Sequence, residues 1–184
     1  MNEYNFKLTK LPLDDETDLG VSHILGCPDV PEKWSDDAVF FNDEVFLGQF
    51  NLSEFKIEGL PSKGMLYFFF ASESKPFRGI VRYASDLSTI ERIDFNSEVE
   101  YPRDLNMEFS LEEAEEGTIT LLPKACKPKH YKLKADEVVL FRFKDDKSLG
   151  LNVFGSDEEV CFVIKKEDLE KGLFENAFLA NSLE

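Results

Sequence analysis

An α+β fold made mainly of antiparallel β structure is what this sequence predicts, with internally duplicated β units packed as layered sheets and a few short helices. Three observations carry that expectation. Val45-Phe-Leu-Gly-Gln-Phe-Asn-Leu52, followed after a Gly/Pro turn by Met65-Leu-Tyr-Phe-Phe-Phe-Ala71, reads as a buried strand pair with one polar amide in it. The design recurs near the C-terminus, where Glu137-Val-Val-Leu-Phe-Arg-Phe-Lys144 leads to Val160-Cys-Phe-Val-Ile164, so that Val45, Leu47, Gln49 and Phe50 fall against Val138, Leu140, Arg142 and Phe143. Eighteen Phe against three Met and one Trp complete the case, because aromatic rings pack well on a pleated surface.

At 184 residues, 42% of them hydrophobic, the chain holds enough apolar side chain for one sizeable core. A single domain over 1–184 is therefore expected. Within it, a first β unit with an N-terminal wrap takes about 1–122, and a shortened second unit takes about 135–184.

Tyr4, Phe6 and Leu8 alternate with polar neighbours and predict a short first strand, ended by Pro12 and the acidic run Asp14, Asp15, Glu16, Asp18. Residues 22–37 carry Gly26, Pro28 and Pro31 with Trp34. Prolines fix φ and remove donors, so this segment is expected as an ordered wrap over the core, without helix or central strand, pinned by Trp34. Strands follow at about 45–52, 65–71, 79–83 and 90–95, and Leu105, Met107, Phe109 and Leu111 alternate with Asn106, Glu108 and Ser110 as a half-buried strand. The run 65–70 is apolar on both faces, which predicts a central strand covered on both sides. Glu112, Glu113, Glu115 and Glu116 interrupt the pattern before 118–122 restores it as a strand. The prolines and lysines of 123–134 then predict a loop and the seam between the halves. Asp145-Asp-Lys-Ser-Leu-Gly150 reads as a hairpin turn, since it lacks the alternating ligands and terminal Glu of a calcium loop. A short helix over 165–172, stopped by Gly172, and a closing strand over 173–179 end the chain.

Lys plus Arg number 21 and Asp plus Glu 37, a formal net charge of -16. Such a field repels phosphate backbones and anionic lipid, so neither nucleic acid nor membrane is an expected partner; the acidity serves solubility or forms a face that meets a basic protein. The N-terminal residues show no basic-then-apolar leader pattern, and the longest apolar run, 65–71, is far below the roughly 20 residues that a spanning helix needs. The expected location is cytoplasmic.

Cys27, Cys126 and Cys161 are odd in number, far apart and without C-x-x-C spacing, so no disulfide framework, thiolate zinc site or other metal centre is expected. No cofactor is expected either, for the sequence has no G-x-x-x-x-G-K-[ST] or G-x-G-x-x-G loop. His23 and Cys27 lie close in sequence, but no third orienting group stands at a diagnostic spacing to make them a base and nucleophile. Candidate binding residues are Gln49 and Arg142 in a cleft between the β units, with Tyr67 and Trp34 added. An amide has up to four hydrogen bonds to place, and a guanidinium always carries charge. The plainer readings are a structural amide bridging the units and an arginine paired with an internal acid. Glu112, Glu113, Glu115 and Glu116 are either a solvated face or an interaction patch.

Several of these residues together resemble a known family. Ser22-x-x-x-Gly26-x-Pro28-x-x-Pro31-x-x-Trp34, Phe46-Leu-Gly-Gln-Phe-Asn-Leu52, Leu60-Pro-x-Lys-Gly64 and Leu66-Tyr-Phe-Phe69 are similar to the YwqG-like bacterial domains of unknown function. Phe162-Val-Ile-Lys-Lys-Glu-Asp-Leu169 and Phe174-x-Asn176 look like that family's closing segment. The resemblance spans about 22–180 and implies a mostly β, internally duplicated body, with no reaction attached to it. The chain departs from the pattern where Arg142 stands in place of a second Gln, and where Val153-Phe-Gly-Ser-Asp157 replaces a Trp-Gly-Asp. Relatives near toxin loci lend the resemblance a further implication, an acidic immunity-type protein. The expected function is non-catalytic binding or protein interaction. The alternatives are an acidic immunity-type inhibitor of a basic toxin, and an enzyme whose carboxylates lie far apart in sequence.

Overall fold

The computed structural model describes residues 5–10, 17–36, 39–40, 43–71, 73, 77–93, 107–112, 119–123, 126–129, 131–146, 148, 151, 153–154 and 159–180. Among them, antiparallel β structure dominates. In chain order the elements are β1 (Asn5–Lys10), β2 (His23–Ile24), β3 (Asp29–Pro31), α1 (Glu32–Asp36), β4 (Glu44–Asn51), β5 (Met65–Ala71), β6 (Arg78–Ala84), β7 (Ile90–Arg92), β8 (Met107–Glu112), β9 (Ile119–Leu121), β10 (Glu137–Lys144), β11 (Glu159–Lys165), α2 (Lys166–Lys171), a 3-10 turn at Phe174–Asn176 and β12 (Phe178–Leu179). Ten strands form one continuous sheet in the order β12-β11-β10-β9-β1-β8-β2-β4-β5-β6, and β3 pairs with β7 in a separate two-stranded ribbon. No helix among the described residues is long and apolar enough to cross a membrane.

The sheet curls until its two end strands lie against one another. At Gly79 of β6 a Cβ would fall 2.7 Å from the Phe162 ring and 2.9 Å from the Leu179 backbone nitrogen of β12, so only glycine permits this approach. The layers that the sequence predicts are thus opposite walls of one curled sheet. Between them lies a core of phenylalanines drawn from both halves. Phe68 stacks on Phe141 with centroids 4.2 Å apart and meets Phe162 at 5.3 Å, while Phe50 meets Phe141 at 5.4 Å. Every residue of β5 is buried, as its two apolar faces predict.

Outside this wall the strands are covered again. Val30, Phe46, Met65, Tyr67, Phe69 and Ala84 form a second cluster, joined by Trp34 and Phe40. Val139, Cys161, Val163 and Ala180 form a third with Cys126, Tyr131 and Leu133. Among the described residues there are thus one inner cluster and two outer ones.

β4 and β10 share an irregularity that decides which side chains face in. Their ladders slip between Phe46 and Gly48 and between Val139 and Phe141, leaving Leu47 and Leu140 as bulged residues. Each bulge carbonyl accepts a backbone N–H from a leucine with positive φ: Leu25 (φ 58) at 3.0 Å and Leu122 (φ 43) at 2.9 Å. Left-handed backbone costs a leucine about 1–2 kcal/mol, so it persists only where surrounding bonds hold it. Around the bulges the registers correspond. His23 and Ile24 of β2 pair with Gln49 and Gly48, and Thr120 and Leu121 of β9 pair with Arg142 and Phe141. Tyr67 opposes Gln49 as Cys161 opposes Arg142.

Three expectations need correction. Residues 22–37 were expected to hold neither helix nor central strand, yet β2 lies between β8 and β4 in the middle of the sheet and Trp34 sits in α1. A two-residue strand is too short to show periodicity. The prolines lie beyond it, and Pro31 sits on a ribbon strand with one neighbour, where a missing N–H is tolerated. The boundary near 122 is not where the sheet divides, because β9 pairs with both β1 and β10 and so joins the second half. Finally, 173–179 begins as a 3-10 turn and becomes a strand only at β12.

Replacing Phe68 by Ala should lower stability by about 3–5 kcal/mol in equilibrium urea unfolding, since the ring is fully buried between both halves. A loss below about 1 kcal/mol would mean that the walls do not depend on this contact.

Candidate functional site

Two of the four candidate binding residues, Gln49 and Tyr67, meet at Asp29, and Trp34 packs on one of them. Asp29 begins β3 and is fully buried. Burying a lone carboxylate is strongly unfavourable, so its partners are the main physical question at this site. Arg92 of β7 donates from Nε to Oδ1 at 2.7 Å and from Nη2 to Oδ2 at 3.1 Å. The Gln49 side chain donates to Oδ2 at 2.9 Å, and the Gly20 N–H donates to the same oxygen at 2.8 Å.

Gln49 reaches this cluster because the bulge at Leu47 breaks the simple alternation of β4, turning Gln49 outward while Leu47 and Phe50 both join the inner core. Three hydrogen bonds engage its amide. Oε1 accepts the Asp29 N–H at 2.7 Å, and Nε2 donates to Val21 O at 2.8 Å as well as to Asp29. Tyr67 donates its hydroxyl to Asp29 O at 2.6 Å, and Trp34 covers the Tyr67 ring at a centroid distance of 5.4 Å. Burial, helped by the Asp29 charge, pushes the Tyr67 phenol far up, so it stays a neutral donor.

His23, opposite Gln49, completes the group. Nδ1 lies 2.9 Å from Leu25 O, which makes it the protonated nitrogen and leaves Nε2 as a buried acceptor without a hydrogen-bond partner among the described residues. Burial lowers its pKa to about 4, aided by Arg92 and opposed by Asp29 and the Leu25 carbonyl. A second ion pair flanks the cluster. Arg82 grips Glu44 through two bonds of 2.7 Å, donates to Val39 O, and lies over the Phe40 and Phe69 rings.

Arg142 lies elsewhere. It occupies the outward position on β10 that Gln49 holds on β4, but four strands separate β10 from β4 in the sheet. Its Nε and Nη2 donate to Glu159 Oε2 at 2.9 and 2.7 Å. The expected cleft joining Gln49 and Arg142 is therefore not formed by these side chains, because each faces a different outer cluster with the phenylalanine core between. Gln49 joins β4 to its covering segment, where the plainer sequence reading had it bridging the two β units. Of the acidic patch, Glu112 ends β8, and Glu113, Glu115 and Glu116 lie outside the described residues.

The cysteines also depart from expectation. Cys126 and Cys161, 35 positions apart in sequence, bring their sulfurs to 3.9 Å of one another. No signal in the sequence could show this, because the contact depends on how the covering segment lies over β11. Asp29 was open to a weak inference, being an acid beside Val30 in a segment expected to lie on the core. Neither the family models nor the curated proteins compared with this chain give a match.

Arg92→Ala should cost about 3–5 kcal/mol in urea unfolding, since it leaves the Asp29 carboxylate buried and short of its counter-charge. Arg92→Lys should recover only part of that, having no planar fork for both oxygens. A cost under about 1 kcal/mol for the alanine variant would show that Asp29 is not held by this pair. For His23 the sign is fixed by its depressed pKa: the unfolded chain binds the proton from about pH 6.5, the folded chain only near pH 4. Stability should thus fall by roughly 3 kcal/mol as pH drops through that window. His23→Gln should remove this component; an unchanged pH profile in the variant would refute it.

Proposed function

We propose that the protein is a non-catalytic interaction protein that works in the reducing cytoplasm and meets a basic protein partner through its acidic surface. The observation that carries this reading is the mutual hydrogen bonding of the groups around the Asp29 carboxylate. Gln49, Tyr67, Arg92 and Asp29 direct their polar atoms at one another and at backbone groups, so they serve as a clasp and leave the outer surface to do the binding.

A net charge of -16 favours basic partners and disfavours nucleic acid and anionic lipid. An immunity-type inhibitor of a basic toxin is one form such a protein would take. Electrostatic complementarity of this kind accelerates encounter and is screened by salt.

We further read the two halves as copies of one unit, the second shortened, in keeping with the resemblance to YwqG-like domains. Support comes from the matched bulges, from the two positive-φ leucines bonded to them, and from the equivalent settings of Gln49 and Arg142.

The test is retention of host-lysate proteins on the tagged chain, identified by mass spectrometry after washes at low and at high salt. A basic protein held at low salt and released at high salt is the expected result. Retention that salt does not weaken, or a partner that is itself acidic, would sink the proposal.

A further inference from the structure

The second half carries a side-chain cluster that the interaction reading leaves unused. Cys161 stands on β11 opposite Arg142, at the place Tyr67 takes on β5, and its side chain is buried. Glu159 lies two residues earlier, so it shares the same face of the strand. Cys126, half-buried in the covering segment, brings its Sγ to 3.9 Å from that of Cys161. Glu159 Oε1 lies 3.7 Å from Cys161 Sγ, and one donor atom from each of the three residues falls within 4.8 Å of the others.

We propose that Cys126, Cys161 and Glu159 form a three-donor site for zinc or a similar thiophilic divalent cation, with a fourth position left for water or a donor from a partner. The spacing supports coordination. A tetrahedral zinc with Zn–S of about 2.3 Å and Zn–O of about 2.1 Å sets its sulfurs about 3.8 Å apart and its sulfur and oxygen about 3.6 Å apart. Both separations match those between the side chains here within a few tenths of an ångström. A disulfide, by contrast, needs an S–S distance of about 2.05 Å, nearly 2 Å shorter than the contact observed.

Arg142 fits this role better than it fits a ligand cleft. Its Nε and Nη2 bind Glu159 Oε2, which steadies the carboxylate while Oε1 lies towards the Cys161 sulfur. Outer partners of this kind orient metal ligands. The charges also balance. Binding releases one proton from each thiol, giving two thiolates and one carboxylate; a divalent cation leaves one negative charge, which the guanidinium offsets. The ligand types point to a cation that favours sulfur over magnesium or calcium, which prefer oxygen throughout.

The experiment uses the full chain, reduced and stripped with chelator, titrated with Co2+ and then with Zn2+. We expect one equivalent of Co2+ to produce a thiolate-to-cobalt charge-transfer band with the intense visible bands of tetrahedral cobalt, and one equivalent of Zn2+ to bleach both. Cys126→Ser and Cys161→Ser should each abolish the charge-transfer band, Glu159→Gln should weaken binding by about 10–100-fold, and Cys27→Ser should leave it unchanged. Because Cys161 is buried, its variant is judged only if circular dichroism shows a folded chain; Cys126→Ser, in a half-buried position, decides otherwise. Absence of the band in the wild-type chain, or the same cation uptake by folded Cys126→Ser, would overturn the proposal. The second result would mean that cations merely adhere to the acidic surface. A freshly reduced chain that takes up no cobalt but closes a Cys126–Cys161 disulfide with an oxidised low-molecular-weight thiol would overturn it too.

Discussion

A carboxylate that has left water must be met by charge and hydrogen bonds on nearly every side, and Asp29 imposes that demand on the first half of the molecule. Its partners come from segments far apart in sequence: Gly20 before the wrap, Gln49 on β4, and Arg92 on β7. Satisfying one side chain therefore fixes the N-terminal segment over β4 and β5 and brings the β3–β7 ribbon to the same face. Arg92 extends the tie by donating to Thr17 O, which anchors the segment leading into the wrap. Apolar contact alone would hold this layer without choosing its register. The hydrogen bonds supply the choice, because a shift of one residue would leave both the carboxylate and the Gln49 amide unpaired.

The second half solves the same geometric problem with other chemistry. At the outward position beside its bulge it has Arg142 instead of Gln49, and across the strand Cys161 instead of Tyr67. Its opening glutamate, Glu137, is buried like Glu44. It accepts bonds from Tyr131, from the Lys134 N–H and from the Lys134 side chain, where Glu44 is held by Arg82. In both halves, then, a bulged strand turns a polar residue away from the phenylalanine core and towards a covering segment. The skeleton is shared and the outer chemistry is not, so any difference in what the two faces do must arise from those few positions.

Much of this skeleton was legible in the sequence. The strands 65–71 and 137–144 match the structure at both ends because continuous apolar runs and aromatic alternation are strong signals, and Gly172 ends its helix in the left-handed conformation that glycine accepts readily. Aligning Val45, Leu47, Gln49 and Phe50 with Val138, Leu140, Arg142 and Phe143 pairs residues that hold equivalent places around the two bulges. What the alignment could not show is the bulge itself. Without it, Leu47 and Gln49 would share a face, and Gln49 would point into the space between the walls as a cleft residue; the extra residue reverses the alternation and sends it outward. Asp29, the β2 strand and the Cys126–Cys161 contact stayed hidden for a related reason. Each depends on long-range placement, which local spacing does not encode.

The filled interior also narrows where function can reside. Phe50, Phe68, Phe141 and Phe162 meet ring to ring between the walls, so the space inside the curled sheet is taken up by its own side chains. The polar chemistry accordingly lies outside the phenylalanine core, beneath two covering segments. On the first face the polar groups are tied to one another, and rearranging them for a ligand would expose an unpaired carboxylate to a dry environment. On the second, two thiols and a carboxylate steadied by Arg142 share one small volume. The molecule thus couples a half whose polar groups are tied mostly to one another to a half that gathers two thiols and a carboxylate beneath its covering segment, and it is on that second face that the proposed cation would sit.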